Sequence, residues 1–196
     1  MSKSEDTRAR ILDTALAETA RTGYAGLSIG HLAEAADMSK SGLFARFGGQ
    51  DKLQVAIIEA ASARFRADVI DPARKAHRAR GRLEALAARW IGWLMDPRRG
   101  RPCPLLQAAF ETPGLTAPAA ETARQARRDW TAYLERLAGL AIREGDFRPD
   151  LKPARFAFAF EAAGLALHSY AAIQERDDAI ELAEAEFARL FRAASA

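Results

Sequence analysis

Apolar residues recur every three or four positions along nearly the whole chain, and no stretch alternates between apolar and polar residues as a half-buried strand does. This period is typical of amphipathic helices that bury one face. Clusters of Gly and Pro interrupt the pattern and divide it into about nine helices. No apolar run approaches the roughly 18 residues that a membrane-spanning helix needs. We therefore expect an all-α protein of about nine helices with no sheet.

The second and third predicted helices are each about two turns long, and a three-residue turn over 36–38 separates them. Ser28 and Ser39 stand where an N-cap is needed, and Gly48 follows the last apolar position of the third helix. Asp37 occupies the turn position that requires a left-handed backbone, which Asp tolerates better than most residues. This arrangement predicts a helix-turn-helix, whose second helix enters the major groove of DNA.

The third helix has one apolar face and one polar face. Leu43 and Phe47 share the apolar face and are expected to anchor the helix to the core. The exposed amides at its start, together with Ser39, suit a phosphate. The side chains left facing outward are Lys40, Ser41, Gly42, Phe44 and Arg46.

Net charge adds little to the DNA-binding argument. The chain carries a formal charge of +3 and has a pI near 9.3, which favours an anionic partner only mildly. Residues 1–52 hold seven Lys and Arg side chains against seven Asp and Glu, so the predicted DNA-binding segment is neutral overall. The excess of positive charge lies downstream, in runs such as residues 74–82. Local placement of the charges must therefore carry the argument.

A longer motif surrounds the helix-turn-helix and spans residues 7–53. Its parts are Arg10-Ile11-Leu12, Gly23-Tyr24, Ser28-Ile29, Leu32-Ala33, the run from Met38 to Phe47, and Asp51-Lys52-Leu53. With about 140 helical residues behind it, this motif resembles the tetracycline-repressor-like (TetR/AcrR) family of bacterial regulators. The resemblance implies a helix-turn-helix DNA-binding domain over 1–52 and a helical ligand-sensing and dimerisation domain over 53–196.

The resemblance also implies roles for individual residues. Lys40, with Ser41 and Gly42, stands where the family reads base edges, and a lysine can donate to guanine O6 and N7. Lys52 matches a lysine that binds a DNA phosphate. The full set of expected DNA-binding residues is Ser28, Ser39, Lys40, Ser41, Gly42, Phe44, Arg46 and Lys52.

Three positions depart from the family pattern. Phe44 stands where the family usually has Tyr, so a phosphate-binding hydroxyl is missing; Phe44 could contact a thymine methyl or be partly core. Arg46 replaces a common His or Tyr and would strengthen the hold on phosphate. Gly30 cannot supply a contacting side chain, and the neighbouring His31 is either a phosphate contact or a plain surface histidine.

The C-terminal part is expected to bind a small molecule and a second copy of the chain. The family joins its last two helices to those of a partner in a four-helix bundle, and the penultimate predicted helix is apolar on more than one face. Aromatic residues at helical spacing form either a plain core or the lining of a pocket for an apolar or aromatic ligand. The candidate ligand-binding residues are Trp90, Trp93, Phe110, Trp130, Tyr133, Phe160 and His168.

These expectations describe a ligand-released repressor that binds a palindromic operator in double-stranded DNA as a homodimer. The alternative is a helical small-molecule sensor that acts through protein partners without DNA. We expect no enzyme, cofactor or metal site, because no nucleotide-binding loop or clustered metal ligands occur. The polar N-terminus and single cysteine predict a cytoplasmic protein without membrane contact. Cys103 is either a buried packing residue or a redox-active thiol.

Overall fold

The structure is a computed structural model, and it describes residues 3–96, 103–173 and 175–196. Over these ranges every α-helix longer than a single turn matches one predicted from the sequence, and the one strand-like pairing is an isolated bridge between Phe147 and Ser195. The all-α prediction is confirmed. The helices are α1 (Lys3–Gly26), α2 (Ile29–Ala35), α3 (Lys40–Phe47), α4 (Gln50–Phe65), α5 (Ala79–Met95), α6 (Pro104–Phe110), α7 (Ala117–Arg143), α8 (Pro153–Tyr170) and α9 (Arg176–Ala194).

Helix α4 begins at Gln50 and its α-helical part ends at Phe65. Asp51 lies within the first turn, where the helix dipole favours an acidic side chain. At the other end the chain continues as a π-helical turn, Arg66–Ile70, and then as a single α-helical turn, Asp71–Ala73. Proline tolerates the first turn of a helix because its missing N–H needs no partner there. Pro72 therefore sits in that last turn without breaking it.

The chain forms two compact units. The first comprises residues 1–64 and 97–127, and the second comprises residues 65–96 and 128–196. In the first unit, apolar residues of α1 to α4 share one core with Ala108 of α6 and with Ala119 and Ala123 of α7. These units are defined by packing, so the functional division at residue 52 stays a prediction.

The second unit has an aromatic core. Phe156 of α8 packs between Phe147 and Phe191, with ring centroids 5.1 and 5.8 Å away. Phe160, one turn further along α8, lies 4.9 Å from Phe187 of α9. Edge-to-face pairs such as this one stabilise a core beyond the burial of apolar area. Helices α8 and α9 are thereby fixed against each other.

Candidate nucleic-acid interface and ligand site

The turn between α2 and α3 has the predicted geometry. Asp37 has φ 51°, and within the described ranges it is the one non-glycine residue with a positive φ. The amide of Met38 donates to the Ala33 carbonyl at 2.8 Å, and the amide of Asp37 donates to the Glu34 carbonyl at 3.1 Å. These bonds close the turn and fix the direction in which α3 begins.

Two serines cap the helices of this motif. Ser28 Oγ accepts a hydrogen bond from the His31 amide at 3.1 Å, and Ser39 Oγ accepts one from the Gly42 amide at 3.0 Å. Ser39 Oγ also lies 3.2 Å from Ser41 Oγ. Both caps are solvent-exposed. The amides at the start of α3 that lack an intrahelical acceptor therefore face solvent, where a phosphate could bind them.

Helix α3 is held by one face and open on the other. Leu43 is fully buried and Phe47 is 5% exposed, which confirms them as anchors. Phe44 is 56% exposed, so the interpretation that it belongs partly to the core is wrong. Lys40, Ser41 and Arg46 are exposed as well, and Gly42 is partly buried. The structure brings these five outward-facing positions together on one short helix.

Lys40 and Lys52 lie against glycines at this surface. A Cβ added to Gly30 would lie 3.0 Å from Cε and 3.2 Å from Nζ of Lys40. The absence of a side chain at Gly30 therefore has a second effect, because it allows the Lys40 side chain to pack against the backbone of α2. Lys52 packs on Gly48 at the C-terminal end of α3, where a Cβ would lie 3.5 Å from Nζ. A cation is favoured at a helix C-terminus.

His31 is engaged within the protein. Its Nε2 lies 3.3 Å from both Arg21 and the Glu18 carboxylate, and its Nδ1 lies 3.3 Å from the Gly26 carbonyl. Arg21 also binds Glu18 at 2.6 Å and holds the pKa of that carboxyl below its usual value. These contacts favour the plain surface histidine over a phosphate contact.

Sequence reasoning missed a set of polar contacts that fasten α6 to the end of α1. Glu111 accepts a hydrogen bond from the Tyr24 amide at 3.0 Å and another from Gln107 Nε2 at 2.8 Å. The Tyr24 hydroxyl donates to the Pro104 carbonyl at 3.3 Å, and burial raises the pKa of this hydroxyl. Gly23, with φ 73°, allows the close approach of the carboxylate.

Gln54 makes a second missed connection within the first unit. It is 2% exposed, donates to the Gly114 carbonyl at 3.1 Å and accepts from the Thr116 amide at 2.8 Å. Its amide therefore satisfies backbone groups of the loop before α7. The sequence does contain a signal for this connection, because Gln54 lies in the apolar stripe of Leu53, Ile57 and Ile58. A buried amide needs hydrogen-bond partners.

The second unit contains an aromatic cluster, defined here as Phe65, Trp90, Trp93, Trp130 and Phe160. Trp130 lies 5.1 Å from Phe65 and 5.6 Å from Trp90, centroid to centroid, and Trp90 stacks on Phe160 at 5.9 Å. The structure thus brings four of the predicted ligand-binding residues together and adds Phe65, which the sequence did not single out. All five side chains are buried.

The other three candidate ligand-binding residues differ in position. Tyr133 lies at the edge of the aromatic cluster, 6.5 Å from Trp130. His168 is partly buried on α8. Phe110 belongs to the first compact unit and is 65% exposed, and its part in ligand binding stays a prediction. Cys103, at the start of α6, is buried.

Two sequence-family models match the chain. The family described as "Bacterial regulatory proteins, tetR family" matches residues 11–57, and "Tetracyclin repressor-like, C-terminal domain" matches residues 79–187. No curated protein matches the sequence. In the part of the chain that the structure describes, no helix has the length and apolar character needed to cross a bilayer, and no group of three or more His, Cys, Asp or Glu could hold a metal ion.

Solved structures share the fold. A TetR transcriptional regulator from Chloroflexus aurantiacus is 22% identical, with a TM-score of 0.84 over 98% of this chain and 96% of its own. A TetR-family regulator from Cytophaga hutchinsonii is 20% identical, with a TM-score of 0.82 over 100% and 98%. AibR in complex with isovaleryl coenzyme A and operator DNA is 24% identical, with a TM-score of 0.75 over 94% and 97%.

Proposed function

Because the chain belongs to the tetR family of bacterial regulatory proteins, we propose that it is a ligand-released repressor that binds a palindromic operator as a homodimer. The observation that carries this proposal is the exposed face of α3. Lys40, Ser41, Phe44 and Arg46 project from a helix whose opposite face is buried, and Lys52 stands beside its C-terminal end. A regulator of this kind is expected to work in the cytoplasm, where its DNA lies.

Each side chain on this face has a proposed task. Lys40 reads a base edge, Phe44 contacts a thymine methyl, and the amides capped by Ser39 hold a phosphate. Arg46 and Lys52 bind phosphates and so set the register without reading sequence. Ser28, Ser41 and Gly42 complete the contact surface.

Exposed apolar side chains on the last two helices support a homodimer. Phe158 and Tyr170 of α8 are 77% and 46% exposed, and Leu182 of α9 is 54% exposed. Ile173, just after α8, is 74% exposed. Large apolar side chains left exposed on two helices that pack together suit an interface with a second copy of the chain. A two-fold axis there would present two α3 helices to major grooves about 34–36 Å apart, or a multiple of that spacing.

The aromatic cluster is proposed as the wall of the effector site. Its composition favours an apolar or aromatic ligand, and AibR, which shares this fold, forms a complex with isovaleryl coenzyme A. Release of DNA requires that the ligand bind one arrangement of the α3 pair better than the other. We propose that it acts through α4, which carries Lys52 at one end and Phe65 at the other.

A footprint on the DNA flanking the gene, with and without a metabolite extract, tests this function. We expect a protected palindrome that the extract releases. Lys40→Ala should relax the preference at one base pair in each half-site, whereas Lys152→Ala, an exposed lysine in the second unit, should leave the footprint unchanged. Absence of any protected site would contradict the proposal.

A sensor that acts through protein partners is the second candidate. The exposed phenyl ring of Phe44 on α3 favours it, since an apolar side chain suits a protein surface as well as a thymine methyl. Phe44→Tyr separates the two candidates. It restores a hydroxyl for phosphate and should strengthen DNA binding, whereas burial of the ring in a protein partner would be weakened.

A further inference from the structure

The edge of the aromatic cluster carries polar groups that no described residue satisfies. Tyr133 is partly buried there, and its hydroxyl forms no hydrogen bond with any residue that the structure describes. The guanidinium of Arg136 lies over the Tyr133 ring, 5.8 Å from its centroid. At this edge the Trp130 ring and the Arg136 guanidinium lie 6.5 and 5.8 Å from the centre of the Tyr133 ring.

Two more arginines add positive charge to the surroundings of the same hydroxyl. Burial raises the pKa of Tyr133, and the charges of Arg74, Arg82 and Arg136 act against that rise. Positive charge around Tyr133 therefore exceeds the negative charge of Asp71, and an excess of one sign of charge attracts an anion.

Most of this positive charge is not neutralised. Asp71 lies 3.6 Å from Arg74, whereas Arg82 donates to the carbonyls of Ala76 and His77 at 2.8 and 3.4 Å. Over residues 3–96, 103–173 and 175–196, no carboxylate lies within ion-pair distance of Arg82 or Arg136. Because one carboxylate among the described residues pairs with these three guanidinium groups, positive charge remains to bind an anionic ligand.

Trp130 supplies an independent observation. Its side chain is 8% exposed, and its Nε1 donor is buried without an acceptor in the described structure. A buried donor without an acceptor costs about 1–3 kcal/mol, so native proteins rarely keep one without a use. The Trp130 ring lies 6.5 Å from the Tyr133 ring, centroid to centroid, so this unpartnered donor belongs to the ring beside the edge.

We propose that this edge binds an apolar or aromatic molecule bearing an anionic group. The anion lies against Arg136 beside the Tyr133 hydroxyl, and an oxygen of the ligand accepts a hydrogen bond from Trp130 Nε1. The apolar part packs on the aromatic cluster. The inference rests on the proposed function only in treating this molecule as the effector, and binding can be measured without DNA.

The test uses two fluorescent probes of similar shape. 8-Anilino-1-naphthalenesulfonate carries an anionic group, and N-phenyl-1-naphthylamine lacks it. We expect Arg136→Ala to weaken binding of the sulfonate about three- to fivefold, the effect of one partly exposed ion pair, and to leave the neutral amine unchanged. Arg155→Ala, an exposed arginine elsewhere in the same unit, should change neither.

Added salt should weaken sulfonate binding to the unaltered protein, because screening acts on the charged contact alone. Equal sulfonate affinity in the unaltered protein and Arg136→Ala would overturn the proposal. So would an equal loss for both probes, which would show that Arg136 only supports packing. Neither result depends on whether the protein binds DNA.

Displacement of the dye identifies the anion. Octanoate tests a carboxylate, and octanoyl coenzyme A tests phosphates carried by a thioester. Displacement by one of them assigns the ligand's anionic group, and displacement by neither would overturn the proposed ligand class. Trp130→Phe should weaken the displacing ligand while the melting temperature holds, whereas a purely structural Trp130 would lower the melting temperature and leave affinity intact.

Discussion

The Gly23→Ala substitution tests the connection between α1 and α6. Gly23 has φ 73° and ψ 172°, a region that is essentially restricted to glycine and costs other residues about 1–3 kcal/mol. A Cβ there would lie 2.6 Å from Oε2 of Glu111, so the carboxylate must move. The buried Tyr24 amide would then lose its acceptor, at about 1–3 kcal/mol more. We expect a total loss of roughly 2–6 kcal/mol.

Gly48→Ala is the matched control. Gly48 has nearly the same φ, 74°, and belongs to the same unit, but an added Cβ would make only ordinary contacts, the nearest at 3.4 Å. Its left-handed conformation should cost about 1–2 kcal/mol. Glu111→Ala removes the acceptor without backbone strain. If both substitutions destabilise the protein by removing the Glu111 carboxylate from the Tyr24 amide, their effects should overlap. The free energy of unfolding of the double variant, Gly23→Ala with Glu111→Ala, should then fall by less than the sum of the two single decreases.

The assay can separate the two compact units. Trp90, Trp93 and Trp130 all lie in the second unit, so tryptophan fluorescence follows that unit, whereas far-UV circular dichroism follows both. In urea unfolding at fixed protein concentration, the circular dichroism of Gly23→Ala should begin to change at a lower urea concentration than its tryptophan fluorescence. Equal losses for Gly23→Ala and Gly48→Ala would refute the structural reasoning.

Three further predictions concern other parts of the chain. Phe158→Glu should shift the protein from dimer to monomer in analytical ultracentrifugation, whereas Glu59→Ala, at an exposed position of α4, should not; an unchanged dimer would place the interface elsewhere. Gln54→Leu should lower stability by about 1–3 kcal/mol in urea unfolding, because it leaves the Gly114 carbonyl and Thr116 amide without partners; no loss would show that water replaces the amide. Gly30→Ala should reduce operator affinity in fluorescence anisotropy by displacing the Lys40 stem, and unchanged affinity would show that Lys40 acts from another position.

The helix-turn-helix could be predicted because its signals are local. Ser28 and Ser39 cap helices within three residues, and Asp37 and Gly48 adopt the left-handed conformations that their positions require. Each of these interactions is decided by neighbours in the sequence. The bounds of α2 and α3 therefore follow from the residues themselves.

Contacts between distant residues could not be predicted in the same way. Tyr24 and Glu111 are separated by 87 positions, and nothing in either local sequence indicates their hydrogen bond. Phe65 joins the aromatic cluster because α4 delivers it there, although its spacing alone suits any helical core. From the sequence, Gly30 is only a position without a contacting side chain. The room that it leaves for Lys40 depends on how α2 and α3 cross, which the sequence does not show.

The salt dependence of operator binding tests the central claim most directly. If Arg46 and Lys52 of two protomers each neutralise one phosphate, log K should fall with log salt at a slope of roughly −4. Lys52→Ala should bring the slope closer to zero by about 2 and weaken all sequences alike, while Lys152→Ala leaves it unchanged. Binding that salt does not weaken, or a slope that Lys52→Ala leaves intact, would contradict DNA recognition by this face.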